Sequence, residues 1–269
     1  MDGLIDFLND LSAPQRSGFL FAFLFAAILC ERLFPFITDK RPNQHLAVNL
    51  VFLVGVGLVN TLVAMFAFSV LGVHEWQVGA LHWFALPLWA EIVIAIIVLD
   101  FVAQYAAHWM LHNIKWLWRY HAVHHSDTFI DASSGTRLHP GDFFFREVLV
   151  VLTIIVAGLP LVGYFLYRII TPFFSYFTHA NIRLPLWLDR PFTWLVVTPN
   201  MHKVHHHLER PWTDCNYGNI LSVWDRLFGT YTYADPEKVE YGLDVLDPKK
   251  DRQIGYLFKL PFSNFKTDY

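Results

Sequence analysis

The stretch HWMLHNIKWLWRYHAVHH, residues 108–125, carries five histidines and directly follows a long apolar run. His108 and His112 are four residues apart, so a helix places both imidazoles on one face. The pattern HxxHH then spans 121–125, and it recurs in MHKVHH at 202–206. Repeated histidine spacings of this kind predict metal binding, because neutral imidazole is a common ligand of transition metals.

The composition is typical of a membrane protein. Of the 269 residues, 55% are hydrophobic and 17% are aromatic, whereas only 16% are charged. The net charge of −3 and the lack of a basic cluster lead us to expect no nucleic-acid partner. Cys30 and Cys215 are too few for a disulfide framework or a cysteine metal site. Histidine, with 14 residues, is the residue type that departs most from ordinary usage.

Three apolar segments are long enough to cross a hydrocarbon layer of roughly 30 Å. They predict membrane-spanning helices over 18–36, 46–73 and 84–107. An acidic start argues against a cleaved signal, so the first segment is interpreted as a retained span. A fourth segment, about 147–178, is interrupted by the sequence GLP at 158–160. We interpret it as a re-entrant helical hairpin, with one long kinked span as the alternative.

The basic residues predict how the chain is oriented. Arg32, Lys40 and Arg41 flank the first connection, whereas the second connection, GVHEWQVGALHW, has no lysine or arginine. Basic residues return after the third predicted span. Since lysine and arginine are enriched in cytoplasmic loops, the histidine cluster should face the cytoplasm and the N-terminus the opposite side. A hairpin at 147–178 would keep both histidine motifs on that one side.

The number of histidines predicts a site for two metal ions. A single zinc ion takes about four ligands, and a catalytic zinc usually takes three from the protein. Eight or more imidazoles therefore fit two ions, and an all-nitrogen site with open positions favours redox-active iron and O2 chemistry. Haem ligation uses two histidines per haem and leaves the HxxHH repeats unexplained.

Two other classes of function stay open at this point. The first is a zinc-dependent membrane hydrolase, although zinc peptidases place a glutamate base after the first histidine of HxxxH and this chain has Trp109 there. The second is a non-catalytic protein that stores or transports metal. Transport sites usually lie near the middle of the membrane, whereas these histidines cluster at one edge.

Two further residues accompany the histidine motifs. Asp100 lies two helical turns before His108 on roughly the same face, and its carboxylate could accept the second ring N–H of a ligand histidine. His207 extends the second HxxHH motif but lies outside its spacing. We interpret it as a residue that supports the ligands or faces solvent.

The motifs HWMLH, HAVHHS, RLHP, FTHANI, TPNMHKVHH and NYGNILSVWDRLFGTY resemble the fatty acid hydroxylase/sterol desaturase superfamily of integral-membrane di-iron enzymes. The resemblance places metal ligands at His108, His112, His121, His124, His125, His202, His205 and His206. His179 in FTHAN matches a further histidine near the metals and is counted with the ligands. His139 in RLHP matches a position that supports them. The chain departs from the pattern at Trp109, where the family often has arginine in an HRxxH box.

The resemblance also implies the fold and its division. The expected fold is all-α: a multi-span membrane helical bundle with a cytoplasmic helical cap that carries a histidine-ligated site for two metals. Residues 1–83 would form N-terminal transmembrane helices, and 84–234 the catalytic region that includes the hairpin. Residues 235–269 would form a polar C-terminal tail.

The activity implied is O2-dependent hydroxylation or desaturation of a lipid by an enzyme with two iron ions. An apolar substrate would enter from the bilayer, which accounts for a metal site at the end of membrane helices. No nucleotide, flavin or cytochrome b5-like module is evident in the sequence. A separate reductase, ferredoxin or cytochrome-type electron donor is therefore expected, and the lipid is not specified by these motifs.

Overall fold

The computed structural model describes residues 3, 7, 10–38, 42, 44–70 and 78–265. Its helices are Ala13–Leu33 (α1), His45–Met65 (α2), Leu88–Leu99 (α3), Ala107–Asn113 (α4), Lys115–His125 (α5), Pro140–Ala157 (α6), Leu161–His179 (α7), Leu186–Phe192 (α8), Pro199–His205 (α9), Val223–Leu227 (α10) and Ile254–Lys259 (α11). Short 3₁₀ turns lie between them, and two isolated bridges are the only β pairings in the described ranges. The prediction of an all-α fold is confirmed.

Two helices in the described part of the chain are long and apolar enough to cross a membrane. One is α2, and the other is the continuous helix Leu88–Asn113, in which the π-helical stretch Asp100–Ala106 joins α3 to α4. They overlap the second and third predicted spans, but α2 ends at Met65, before the predicted end at 73, and the other helix begins at Leu88, after the predicted start at 84. The first predicted span forms α1 but is not one of these two candidates. Some residues behind these predictions lie outside the described residues. They are Lys40 and Arg41, which support the predicted orientation, and residues 71–77, which include the end of the second predicted span.

The surface of the helix bundle is apolar where a membrane would contact it. Leu58 and Leu62 on α2 are 63% and 66% exposed, and Val156 on α6 is 71% exposed. Trp187 and Trp194, which precede the second HxxHH motif, are also exposed. Exposed aliphatic side chains favour lipid, and tryptophan is enriched at the membrane–water interface. This distribution agrees with a membrane protein.

The segment interpreted as a hairpin forms two helices, α6 and α7, with a turn between them. Gly158 ends α6 with φ +68°, a left-handed conformation that glycine adopts without strain, and Pro160 caps α7. The outer ends of both helices lie at the histidines, since Asp142 near the start of α6 bonds His121 and α7 ends at His179. The chain thus leaves the site along α6 and returns along α7. That this pair enters the membrane from one side stays a prediction.

The C-terminal segment packs against the helix that carries the first HxxHH motif. Leu257 and Leu260 are fully buried in a cluster with Phe52 of α2 and Trp118 of α5. Its composition is polar, but a few apolar side chains hold it in place. The segment therefore packs against the helix that carries the first HxxHH motif and helps to hold that helix in place.

Candidate metal centre

All nine histidines predicted as ligands lie in two adjacent groups, in each of which one ring nitrogen per residue lies within 4.8 Å of all the others. The five-histidine group contains His108, His112, His121, His125 and His205. The four-histidine group contains His124, His179, His202 and His206. Each of these side chains is buried, with at most 6% of its residue surface exposed. The nine histidines that the motifs and the family resemblance assign as ligands thus lie together, in groups of five and four, and their binding of metal stays a prediction.

A break between α4 and α5 assembles half of the five-histidine group. Ile114 is extended, so the two helices fold back on each other and place residues thirteen positions apart side by side. The Nε2 atoms of His108 and His121 are 2.9 Å apart, and those of His112 and His125 are 3.1 Å apart. The HxxxH and HxxHH motifs thus form one cluster.

The second HxxHH motif lies on α9, which the sequence TPN begins. The Thr198 hydroxyl accepts a hydrogen bond from the Met201 amide at 3.2 Å. Pro199 is the first residue of the helix, where its fixed φ angle matches that of a helix. Adjacent residues differ by about 100° around a helix, so His205 and His206 point into different groups. His124 and His125 divide in the same way, as their spacing predicted.

His179 joins the last turn of α7 to the four-histidine group. Its Nε2 lies 3.1 Å from Nε2 of His124, 3.2 Å from that of His202 and 3.1 Å from that of His206. The Nδ1–H of the same ring donates to the Ser175 carbonyl at 2.7 Å. The ring is thereby fixed with Nε2 towards the other three imidazoles.

Two carboxylates and two carbonyls orient four rings of the five-histidine group. Asp142 accepts from His121 Nδ1 at 2.6 Å, and Asp214 accepts from His112 Nδ1 at 3.1 Å. The carbonyls of Tyr217 and Cys215 accept from Nδ1 of the remaining two rings, at 2.9 Å for His108 and 2.6 Å for His205. Each ring therefore carries its proton on Nδ1 and presents the Nε2 lone pair to its neighbours.

Converging lone pairs fit a bound cation. Two neutral imidazoles that face each other through unprotonated Nε2 atoms repel, unless a positive ion lies between them. In the four-histidine group, Nδ1 of His124, His202 and His206 has no hydrogen-bond partner within the described residues. The donor set, all imidazole nitrogen, suits iron or zinc. The residues present thus fit a pair of transition-metal ions.

The surroundings favour the neutral form of these rings. Burial, followed by neighbouring histidines, holds the pKa of His124, His125 and His206 well below the usual value. Burial by itself would raise the pKa of the Asp142 carboxyl. The nearby Arg146 and His121 outweigh this effect and lower the pKa to about 2. This carboxylate is therefore ionised at neutral pH and is a strong acceptor for the His121 N–H.

The structure corrects the role predicted for Asp100. Its carboxylate accepts hydrogen bonds from the backbone amides of Ile220 and Leu221 and from the Trp224 indole, and from no histidine in the described part of the chain. It holds the loop whose Tyr217 carbonyl orients His108, so it acts one step further from the site. The prediction failed because the register of a helix does not reveal which loop covers that face.

The two remaining predicted residues lie beside the groups and belong to neither. His139 caps α6, where its Nδ1 accepts from the Gly141 amide at 3.0 Å, and its Nε2 lies 3.3 Å from the Phe258 carbonyl. His207 is half-buried, and its Nδ1 accepts from the Glu209 amide at 3.0 Å. Sequence reasoning missed Asp142 and Asp214, because neither lies at a fixed spacing from the histidine that it orients.

A narrow cavity of about 140 Å³ borders both groups. His108 lines it from the five-histidine group, and His124, His179 and His202 line it from the four-histidine group. Its walls come from α1, α2, α6 and α7 and from the π-helical stretch. A small molecule in this cavity would contact the histidines directly.

Comparison with known proteins agrees with this arrangement. The family model described as fatty acid hydroxylase matches residues 92–230, a little over half of the chain. The match includes every histidine of the two groups. No solved structure matches the chain.

Three curated relatives are each 30% identical to the chain. With the ornithine lipid hydroxylase OlsE of Rhizobium tropici, the match covers 54% of the chain and 43% of that protein. With the alkylglycerol monooxygenase of Homo sapiens it covers 58% and 34%. The chain thus spans less than half the length of these two relatives.

The third relative matches over more of its length. With the sphinganine C4-monooxygenase 1 of Arabidopsis thaliana, 72% of the chain and 74% of that protein are covered. Together with the family model, this match confirms the resemblance that the histidine motifs indicated. The chain belongs to the fatty acid hydroxylase family.

Proposed function

We propose that the chain is a membrane di-iron oxidoreductase that uses O2 to hydroxylate, or desaturate, a C–H bond of a lipid. The observation that carries the proposal is one cavity bordered by both histidine groups. The names of the relatives support it, since they describe hydroxylation or monooxygenation of ornithine lipid, alkylglycerol and sphinganine.

The five-histidine group would hold one iron and the four-histidine group the other. Bound iron would supply O2 activation, so that hydroxylation breaks one C–H bond and forms one C–O bond. The second oxygen atom leaves as water, which requires two electrons and two protons from an external donor. In desaturation the same two electrons and two protons are needed, two hydrogens leave the lipid and both oxygen atoms leave as water.

The chain's own residues fix the rings and keep them neutral. Asp142 and Asp214 accept Nδ1–H bonds, which set the tautomer and raise the basicity of the opposite nitrogen. Burial excludes water from the ring faces and makes protonated imidazole unfavourable. The cavity would hold the lipid segment against the histidines and limit access of water to the reacting carbon.

We propose that both groups lie on the cytoplasmic side, beside the membrane, and that the lipid enters laterally. The position supports this, because His108 and His112 lie in the last turns of the helix Leu88–Asn113 and His179 ends the returning helix α7. An electron donor, either a separate reductase or a ferredoxin or cytochrome-type protein, would dock on the same side.

Lipid mass spectrometry tests the activity. Membranes that contain the wild-type chain are compared with membranes that contain a His124→Ala, His125→Ala variant, which loses one ring from each group. A lipid that gains 16 mass units identifies hydroxylation, and one that loses 2 identifies desaturation. If the lipid profiles are the same in every class, the proposal of lipid oxidation is wrong.

A further inference from the structure

The cavity beside the histidines is small and partly polar, which bears on the class of lipid. A cavity of about 150 Å³ holds a molecule the size of benzene, so about 140 Å³ holds a fragment and not an extended acyl chain. The part of a lipid that contacts the histidines must therefore be short, with the remainder outside.

A partly buried ion pair forms part of the cavity wall. Arg168 of α7 donates through Nη1 to Glu147 of α6 and through Nη2 to the Asn60 side chain of α2 at 2.7 Å. The Glu147 side chain is 5% exposed and that of Arg168 is 28% exposed, and both line the cavity. Along α6, Glu147 is five residues beyond Asp142, roughly 8 Å at 1.5 Å per residue. The pair is thus close to the histidine end.

Other hydrogen-bonding groups complete this wall. Gln104, in the π-helical stretch, donates to the Tyr167 hydroxyl at 2.7 Å, and both side chains line the cavity. The Asn219 amide also lines it and donates a long bond, 3.4 Å, to the Thr171 carbonyl. The cavity therefore offers donors and acceptors on more than one side.

The need to hold α2, α6 and α7 together does not explain why Arg168 and Glu147 are charged. Charged side chains among membrane helices are costly and are found mainly facing an interior cavity or a functional site. Apolar side chains of similar volume would join α2, α6 and α7 at no greater cost than this partly buried ion pair. The Arg168 guanidinium has five N–H donors and gives one each to Glu147 and Asn60, so a cavity that received only hydrocarbon would leave part of this hydrogen-bonding capacity unused, which is unfavourable.

We propose that the cavity binds the polar end of a lipid, through a group that both donates and accepts hydrogen bonds, such as a hydroxyl or an amide. Glu147 accepts from this group and Arg168 donates to it, while Asn219 contributes a second amide contact. Oxidation then occurs at a carbon within roughly 10 Å of the polar group and not far along the acyl chain. This inference rests on the proposed function and specifies its substrate class.

Binding of two probes of similar chain length tests the inference without turnover. The purified, metal-loaded protein is titrated with N-acetylsphinganine, which carries an amide and two hydroxyls, or with octadecane, and native mass spectrometry measures the dissociation constants. We expect one N-acetylsphinganine per chain, at least tenfold tighter than octadecane. Loss of a hydrogen bond to a charged group should weaken binding of the polar probe at least tenfold in Glu147→Gln.

Asn219→Ala provides a second variant that leaves the ion pair intact, so the test remains if Glu147→Gln fails to fold. It should weaken binding of N-acetylsphinganine about threefold to tenfold and leave octadecane unchanged. Arg183→Gln is the control, because Arg183 pairs with Glu237 on the exposed surface away from the cavity. Equal affinity for the two probes, or unchanged affinity in both cavity variants, would overturn the inference. Lipid oxidation by the wild type would in that case still support the proposed function.

Discussion

Asp142 provides the sharpest test of how the protein holds its metal. Its Oδ2 accepts from His121 at 2.6 Å, and its Oδ1 accepts from Arg146 at 2.9 Å. In Asp142→Asn the shape is kept, but the charge is lost and the amide can turn its NH2 towards His121. The ring then loses the acceptor that fixes its proton on Nδ1, and buried Arg146 loses its counter-charge.

Loss of a carboxylate that orients a metal-bound histidine typically lowers metal affinity 10- to 100-fold, which is about 1.4–2.7 kcal/mol. Because Asp142 is fully buried and its bond to His121 is short, we expect the upper half of this range. Iron retained per chain is measured by elemental analysis across a series of chelator concentrations, with folding checked by thermal unfolding.

Asp189→Asn is the matched control for this experiment. Asp189 is also fully buried, but it accepts from the Tyr233 hydroxyl and contacts no histidine of either group. We expect its iron affinity to equal that of the wild type within twofold. If Asp142→Asn keeps wild-type affinity, or if Asp189→Asn loses as much, then the carboxylate does not act through His121.

Four further predictions address other parts of the molecule. Asp214→Asn should lower iron affinity about threefold to tenfold in the same chelator assay, a smaller effect than at Asp142, because the Asp214 side chain is 25% exposed and also pairs with Arg210. The metal-free protein should lose thermal stability as the pH falls below about 6.5, because burial lowers the pKa of the four-histidine group and the unfolded chain then binds more protons; a midpoint that rises towards pH 5 would contradict this. Gly158→Ala should destabilise the turn between α6 and α7 by at least about 1–2 kcal/mol in thermal unfolding, because φ is +68° and the added Cβ would approach the Val78 carbonyl to 2.8 Å. Leu257→Ala should cost about 2–5 kcal/mol and release the C-terminal segment to protease, whereas a protease pattern like that of the wild type would show that this segment is held by other contacts.

Local spacing predicted how the histidines within each motif are arranged, whereas His179 was assigned to the ligands by the resemblance to the family. A separation of four residues places two rings on one helical face, and adjacent residues diverge by about 100°, so the motifs alone predicted two ions and the divergence of His124 from His125. The interruption at 158–160 likewise predicted the turn that returns the chain to the histidines. Both are properties of a single helix or a single turn, which a sequence records directly.

Contacts between distant segments could not be predicted in this way. Asp142 and Asp214 orient their histidines from 21 and 102 residues away, and nothing in their local sequence distinguishes them from helix-start or loop carboxylates. Asp100 was assigned to a histidine from its helical register, but a loop that begins more than a hundred residues later covers it. The burial of Leu257 against Phe52 is likewise set by tertiary packing, which composition does not reveal.

Metal content measured group by group is the most direct test of the central claim, that two histidine groups hold two irons. Elemental analysis with Mössbauer spectroscopy on protein expressed in ⁵⁷Fe medium should give about two irons in the wild type. His121→Ala and His202→Ala, one from each group, should each lower the iron content. One zinc per chain, no metal, or an iron content that neither variant changes would contradict the account.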